Sequence, residues 1–261
     1  MSGRVAMRSV AIVVAACVLF FGGAATASAQ YQIDFVDTAI PGQTVAADEP
    51  FGLTATPVSD GDVLSKWNGV VADIAAESDT LTRCREAAAP CQPAAQKFLA
   101  VIAQGLAHDG RARFGIVNRA INLAIVPTSD LAQWGEADRW SAPLATFATG
   151  RGDCEDYAIA KYVALEQAGV SANDLRLVIL RDLASGEDHA VVAARSEGKW
   201  FVLDNRRLVM LEDSQMPRVL PLFVLGKDGV KRFEVPAMAK VPAVATAAPA
   251  SLGEEIAGAV F

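Results

Sequence analysis

A turn formed by residues 150–153 (Gly-Arg-Gly-Asp) divides the sequence into two parts with different hydrophobic periodicities. Before the turn, apolar residues recur at helical spacing and predict helices over residues 63–76, 94–107 and 115–126. The turn opens directly into a fourth predicted helix, residues 154–168. Because several helices precede one helix that leads into strands, the sequence predicts an α+β fold.

Short apolar runs after the fourth helix predict an antiparallel sheet. Strands are expected over residues 175–180, 189–194 and 200–203, with one or two more around residues 219–225. Residues 130–149 contain aromatic side chains without a clear period, so they are predicted to be irregular. The fourth helix is therefore expected to pack across the sheet.

The first 29 residues have the pattern of a secretory signal peptide. Arg4 and Arg8 precede an almost wholly apolar run over residues 10–21, and small residues follow up to a cleavage site after Ala29. The alternative, a retained membrane anchor, is disfavoured because the run is short for a membrane span. The apolar stretch before Cys17 is also too short to favour a lipid-modified cysteine. The mature protein is therefore expected to be periplasmic, with no membrane-spanning segment.

The rest of the sequence is predicted to form one domain with a segment at each end. Residues 30–62 are interpreted as an extended N-terminal segment, and residues 63–235 as the folded domain. Residues 236–261 are rich in Ala and Pro and are predicted to be a disordered tail.

The charge of the chain argues against binding to nucleic acid. Thirty acidic residues outnumber 23 basic ones, which gives a formal net charge of −7. A nucleic-acid-binding protein needs a basic face toward the phosphate backbone. With 52% hydrophobic residues, the chain can instead bury a substantial core.

Four cysteines are present, and export changes what they can do. Cys17 would leave with the signal peptide. Cys84 and Cys91 flank a short proline-containing stretch, which in an oxidising compartment predicts a disulfide, with two free thiols as the alternative. Cys154 would then be the unpaired cysteine of an exported protein, and a reactive role is one explanation for such a residue.

Cys154 begins the fourth predicted helix, where the helix dipole favours a thiolate. Asp153, Glu155 and Asp156 oppose this effect because nearby negative charge raises the pKa of a thiol. A paired imidazolium or a bound cation would offset these carboxylates. Their alternative role is structural, with Asp153 capping the helix.

The chain has two histidines, of which His108 lies at an ordinary helix exit. His189 begins one predicted strand, and Asp204 ends the next. A hairpin loop at residues 196–197 would pair the two directly, and a loop at residues 197–198 would shift the pairing by two yet keep both side chains on one face. Cys154, His189 and Asp204 are therefore candidates for nucleophile, base and orienting group. A structural histidine at a strand start and an aspartate in a turn remain the alternative.

The string Gly-Arg-Gly-Asp-Cys-Glu-Asp-Tyr-Ala-Ile-Ala-Lys at residues 150–161 resembles the signature of the bacterial transglutaminase-like cysteine proteinases. The upstream residues and the downstream strands with His189 and Asp204 follow in the family's order, so the resemblance covers roughly residues 63–210. The upstream residues are Asn118, Asn122, Asp130, Trp134, Asp138 and Trp140. It implies a papain-like fold in its transglutaminase variant, with Cys154 as nucleophile, His189 as base and then acid, and Asp204 as orienting group. Asn118 and Asn122 would share a helix face and either bind the backbone of the active-site turn or cap loops.

The resemblance is to the LapG-type periplasmic proteases of this family, and it implies further properties. Such proteases cleave a large surface adhesin to release cells from biofilms, need calcium, and are sequestered by an inner-membrane receptor for cyclic di-GMP. The implied calcium ligands are Asp153 and Glu155, and Asp156 is the next candidate. Two other functions remain open: transglutaminase-type acyl transfer to an amine on the same triad, and a non-catalytic periplasmic binding module.

Overall fold

The computed structural model describes residues 49–86 and 90–235. The predicted signal peptide, residues 30–48 of the N-terminal segment and the predicted tail at 236–261 lie outside the described residues. No helix of the described ranges is long and apolar enough to cross a membrane.

The helices form the first half of the domain, as the hydrophobic periodicity predicts. The three upstream helices begin within a few residues of their predicted starts, and α1 continues nine residues beyond its predicted end at residue 76. Residues 130–149 are not wholly irregular, because Ser129 caps one short helix and Pro143 opens another. The described helices are α1 Asp62–Arg85, α2 Pro93–Leu106, α3 Gly110–Ala124, α4 Asp130–Trp134, α5 Pro143–Thr149 and α6 Cys154–Gln167.

The strands form one seven-stranded sheet in which every neighbouring pair is antiparallel, in the order β1-β9-β8-β4-β5-β6-β7. Two further strands, β2 and β3, pair in parallel beside it. The fold is α+β and papain-like, as predicted. The strands are β1 Ala55–Pro57, β2 Val126–Pro127, β3 Arg151–Gly152, β4 Leu175–Asp182, β5 Asp188–Ser196, β6 Lys199–Leu203, β7 Leu211–Glu212, β8 Val219–Gly226 and β9 Gly229–Phe233.

Helix α6 is the central element of the core. Ten consecutive residues of this helix, Asp156 to Leu165, are buried, because α2, α3 and α5 pack on it from one side and β4 and β5 from the other. A helix enclosed in this way shows little amphipathic periodicity, so its burial cannot be read from the sequence pattern alone. Its first residue, Cys154, lies at the edge of this core.

The N-terminal part of the described chain adds an edge strand to the sheet. Strand β1 pairs with β9, and the buried carboxylate of Glu49 binds Arg176 at 2.6 Å and Lys231 at 2.8 Å. These contacts make residues 49–57 part of the sheet domain.

The predicted cysteine pairing is confirmed. Cys84 and Cys91 form a disulfide, with their Cα atoms 4.9 Å apart. It links the end of α1 to the segment that leads into α2.

The β5–β6 hairpin has the shifted loop at Glu197-Gly198. Both residues have positive φ, as the two central residues of a type I′ turn require. Val192 therefore pairs with Leu203, so Asp204 lies just past the end of β6. The two-residue shift keeps His189 and Asp204 on one side of the hairpin.

Candidate active site

Cys154 is the first residue of α6, and its thiol lies against the sheet. Sγ donates a hydrogen bond to Oε2 of Glu155 at 2.8 Å and accepts one from the backbone N–H of Ala190 on β5. Burial raises the pKa of the thiol above its ordinary value, and the charge of Glu155 raises it further, which outweighs the opposing effect of the Ala190 N–H. The thiol is therefore protonated in this arrangement.

His189 and Asp204 form a buried pair. Nε2 of His189 lies 2.8 Å from Oδ1 of Asp204, and the two residues are only 2% and 5% exposed. A carboxylate can only accept, so Nε2 carries the proton and Nδ1 of the neutral ring keeps its lone pair. Nδ1 is buried and has no hydrogen-bond partner within the described ranges. The imidazole is thus held in the tautomer that leaves a basic nitrogen free.

The pKa of Asp204 lies below its usual value. Burial acts to raise it, but the hydrogen bond from His189 and the backbone N–H of Arg206 stabilise the ionised form. Asp204 therefore remains an acceptor at neutral pH, as an orienting group must.

The sequence-predicted residues meet in part. His189 and Asp204 are in contact, and the Cys154 thiol lies against Ala190, the residue that follows His189 on the same strand. Within the described residues, the thiol makes no hydrogen bond to a ring nitrogen of His189. Its proton is directed at Glu155 instead. His108 lies apart, bonded through Nδ1 to the Gln104 carbonyl at the end of α2.

Asp153 occupies the N-cap position of α6, but the prediction that its side chain caps the helix is wrong. The side chain makes no capping hydrogen bond and instead faces Asp130 and Asp156. One carboxylate oxygen from each of these three residues lies within 4.8 Å of the others. The carboxylate therefore belongs to an acidic cluster beside Cys154.

This acidic cluster, Asp130, Asp153 and Asp156, fits a cation that prefers oxygen ligands. Oδ1 of Asp130, Oδ1 of Asp153 and Oδ2 of Asp156 are all buried without a hydrogen-bond partner within the described residues. Burial, together with the charges of Glu155 and Asp156, raises the pKa of Asp153 to about 9, and burial with the charge of Asp130 raises that of Asp156 to about 7. Three buried carboxylate oxygens without a hydrogen-bond partner are the kind of ligand set that calcium takes.

The cluster agrees only partly with the ligands that the resemblance implies. Asp153 and Asp156 belong to it, whereas Glu155 accepts a hydrogen bond from the thiol of Cys154. Asp130 is among the residues that carry the family resemblance, but it was not predicted as a ligand because it begins a short helix far from Asp153 in sequence. The parallel pairing of β2 with β3 carries that helix to the start of α6, and no local pattern indicates such a pairing.

Gly152 explains part of the Gly-Asp-Cys-Glu-Asp string. A Cβ atom at this position would lie 2.6 Å from Oδ2 of Asp156, so any larger residue would displace that carboxylate. The backbone N–H of Ser141 donates to the other oxygen of Asp156 at 2.9 Å. The glycine and this hydrogen bond together fix Asp156 within the cluster.

An open cavity is lined in part by the imidazole–carboxylate pair. Its volume is about 410 Å³, and its polar lining includes Asp182, Arg206 and Arg207 beside His189 and Asp204. The apolar part of the lining comes from β4, β8 and the segment before β8. A cavity that reaches His189 can admit part of a ligand or substrate.

The model of the family described as bacterial transglutaminase-like cysteine proteinase (BTLCP) matches residues 77–216, more than half of the chain. Among solved structures, calcium-bound LapG of Legionella pneumophila is similar with 21% identity and a TM-score of 0.50, covering 59% of this chain and 86% of that one. EGTA-treated LapG of the same organism matches at 21% identity with a TM-score of 0.41, covering 53% and 86%. No curated protein sequence matches the chain. At this identity the match to calcium-bound LapG supports the fold alone.

Proposed function

The chain belongs to the bacterial transglutaminase-like cysteine proteinases, and on that premise we propose that it is a periplasmic cysteine endopeptidase with Cys154, His189 and Asp204 as its triad. One observation carries the proposal. The bond from His189 Nε2 to Asp204 Oδ1 leaves Nδ1 as a free base on the strand that the Cys154 thiol touches. This is the division of roles that thiol-based acyl transfer requires.

In the proposed reaction, His189 Nδ1 accepts the thiol proton once the thiol turns from Glu155. The Cys154 sulfur then forms a bond to the carbonyl carbon of the substrate, and the carbonyl π electrons move onto its oxygen. Collapse of this intermediate breaks the C–N bond, and the imidazolium gives its proton to the departing amine. Water, deprotonated by His189, then hydrolyses the thioester and releases the acid product and the free thiol.

The start of α6 supplies one stabilising group for the developing oxyanion. The backbone N–H of Cys154 lies at a helix N-terminus, where the first amides have no partner within the helix. Asp204 keeps the imidazole oriented and stabilises it when it is charged.

Calcium is the cation that we propose for the acidic cluster. Asp130, Asp153 and Asp156 would hold it, and Glu155 is the additional ligand that the family resemblance implies. When bound, calcium would supply positive charge that offsets the carboxylates around the nucleophile. One solved relative is described as calcium-bound, which supports the choice of metal.

The substrate and the receptor are proposed from the family resemblance. A large surface adhesin would be the protein that is cleaved, which would make the enzyme a regulator of attachment in biofilms. An inner-membrane receptor for cyclic di-GMP would be the protein that sequesters it. The predicted signal peptide supports a periplasmic location for both encounters.

The test is cleavage of the N-terminal region of a large adhesin encoded near the gene, by the mature protein with calcium or with EGTA. Cys154→Ala and His189→Ala should abolish cleavage, and His108→Ala, a matched histidine control, should leave it unchanged. Cleavage that survives EGTA would keep the peptidase and refute the calcium requirement. If an added amine is incorporated at the new C-terminus in preference to water, the reaction is transamidation. If Cys154 alkylates readily but nothing is cleaved, the adhesin assignment is wrong.

A further inference from the structure

Two asparagines on α3 hold the backbone of the turn that follows β6. Nδ2 of Asn122 donates to the carbonyls of Asp204 and Arg207, both at 2.9 Å. Nδ2 of Asn118, one helical turn earlier, donates to the carbonyls of Arg207 at 3.1 Å and Leu208 at 3.4 Å. Four hydrogen bonds from one helix face therefore converge on residues 204–208, which we call the Asp204 turn.

The Asp204 turn needs this support because the sheet does not supply it. Strand β6 ends at Leu203 and β7 begins at Leu211, so Asp204 lies beyond the last ladder pair of β6 with β5. Within the turn, the backbone N–H of Arg206 donates to Oδ1 of Asp204 at 2.9 Å, the same oxygen that His189 contacts. Any movement of the turn would therefore move the carboxylate relative to the imidazole.

An asparagine suits this task better than most side chains. Its amide nitrogen carries two donors, so one short side chain can reach two carbonyls at once. The amide oxygens of Asn118 and Asn122 are buried and lack a partner within the described residues, which lowers the stability of the fold. A helix face selected for stability alone would not keep two such oxygens, whereas a face selected to hold the turn would.

We propose that Asn118 and Asn122 are positioning residues that fix the orientation and tautomer of His189 by holding the Asp204 turn. The proposal rests on the proposed function, since it assigns to these amides a task in the same triad. Within the described part of the chain their side-chain amides donate hydrogen bonds to the Asp204 turn and not to Cys154 or to the imidazole, so they act through Asp204.

The test compares Asn122→Leu, which has nearly the same size but no donor, with Asn122→Gln, which keeps the amide. Asn68→Leu, the same change at an exposed position on α1, is the matched control. The exported full-length mature protein is used with calcium, and kcat, KM and Tm are measured for each variant. We expect Asn122→Leu to lower kcat by about tenfold to a hundredfold with KM unchanged, Asn122→Gln to recover part of the loss, and Asn68→Leu to match the wild type.

A second readout does not depend on activity. Because the chain has two histidines, ¹⁵N-histidine NMR resolves the His189 ring once His108→Ala identifies the other signal. The wild type should show the tautomer with the proton on Nε2, and Asn122→Leu should show a mixture. A wild-type kcat and a pure Nε2–H tautomer in Asn122→Leu would overturn the proposal, whatever its Tm. If Asn122→Leu fails to fold, Asn118→Leu must show the lower kcat and the mixture of His189 tautomers instead, and an Asn118→Leu variant with neither change would overturn the proposal. Failure of the wild type to cleave any substrate would refute the proposed function, while the tautomer would still test the positioning role.

Discussion

The acidic cluster should make the stability of the calcium-free protein fall as pH rises. Asp156 is fully buried, and its pKa is raised to about 7 from an ordinary value of 3.8. The stability that its bound proton contributes is present below pH 4 and is lost as pH rises through 7. At about 1.4 kcal/mol per pH unit, Asp156 alone accounts for up to about 4 kcal/mol, a large part of a typical total of about 5–15 kcal/mol.

Asp153 changes stability in the same direction. Its pKa is raised further than that of Asp156, but its partial exposure to solvent reduces the energetic effect, so we assign it no separate magnitude. Calcium should reverse the trend, because a cation binds the ionised carboxylates of the folded state and not the separated ones of the unfolded chain.

Thermal unfolding of the mature protein between pH 5 and pH 8, in EGTA and in calcium, measures this effect. We expect Tm in EGTA to fall steadily from pH 5 to pH 8. The difference between Tm in calcium and Tm in EGTA should be largest at pH 8. Asp156→Asn keeps the oxygen that accepts from Ser141 but cannot ionise, so it should flatten the pH dependence in EGTA and weaken the response to calcium. Asp60→Asn, at an exposed carboxylate, is the control and should behave as the wild type. Equal Tm values in EGTA at pH 5 and pH 8, or an Asp156→Asn profile parallel to that of the wild type, would refute the reasoning.

Three further predictions concern the scaffold around the site. Burial lowers the pKa of Lys161 to about 7, so Lys161→Met should stabilise the protein most below pH 7. In urea unfolding, the gain in unfolding free energy over the wild type should shrink by about 1.4 kcal/mol per pH unit from pH 7 toward pH 10. A gain that does not depend on pH contradicts this. Glu49→Gln leaves two cations without a buried anion and should lower the unfolding free energy by about 3–5 kcal/mol, and a loss below about 1 kcal/mol would show that the pair is dispensable. Replacing Cys84 and Cys91 by Ser opens a loop with a sequence separation of 7, so urea unfolding should show a loss of about 2 kcal/mol, and no loss would rule out an ordering role for the disulfide.

The secondary structure could be predicted where the hydrophobic periodicity is strong. The prediction failed where local capping signals determine whether a short helix forms. Helices α2 and α3 present apolar residues at helical spacing, so their positions follow from the sequence. Helix α4 is five residues long and α5 seven, too short for a period to appear, and both depend on local signals at Ser129 and Pro143. Those signals are visible in the sequence, but they indicate a helix only when tertiary contacts stabilise so short a segment.

The candidate site divides in a similar way. The pairing of His189 with Asp204 could be predicted because both possible two-residue loops leave the two side chains on the same face of the hairpin. The place of Asp130 in the acidic cluster could not be predicted, because it depends on the short parallel pairing of β2 with β3. That pairing joins residues 25 apart in sequence, Val126 and Arg151. The alternation of side chains between the two faces of a strand is encoded locally. The pairing of two segments distant in sequence is a property of the whole fold.

Helix geometry also resolves an apparent conflict in the sequence, a nucleophile among three carboxylates. Residues three apart share a face at the start of a helix, so Asp153 and Asp156 turn together toward Asp130, while Cys154, one residue on from Asp153, turns toward the sheet. Two of the three carboxylates thereby face a separate cluster that could hold a cation, and neither is hydrogen-bonded to the sulfur. Of the three, Glu155 alone contacts the thiol. The four residues 153–156 can therefore contribute both to a candidate cation site and to the thiol site against the sheet, because the helix turns their side chains in different directions.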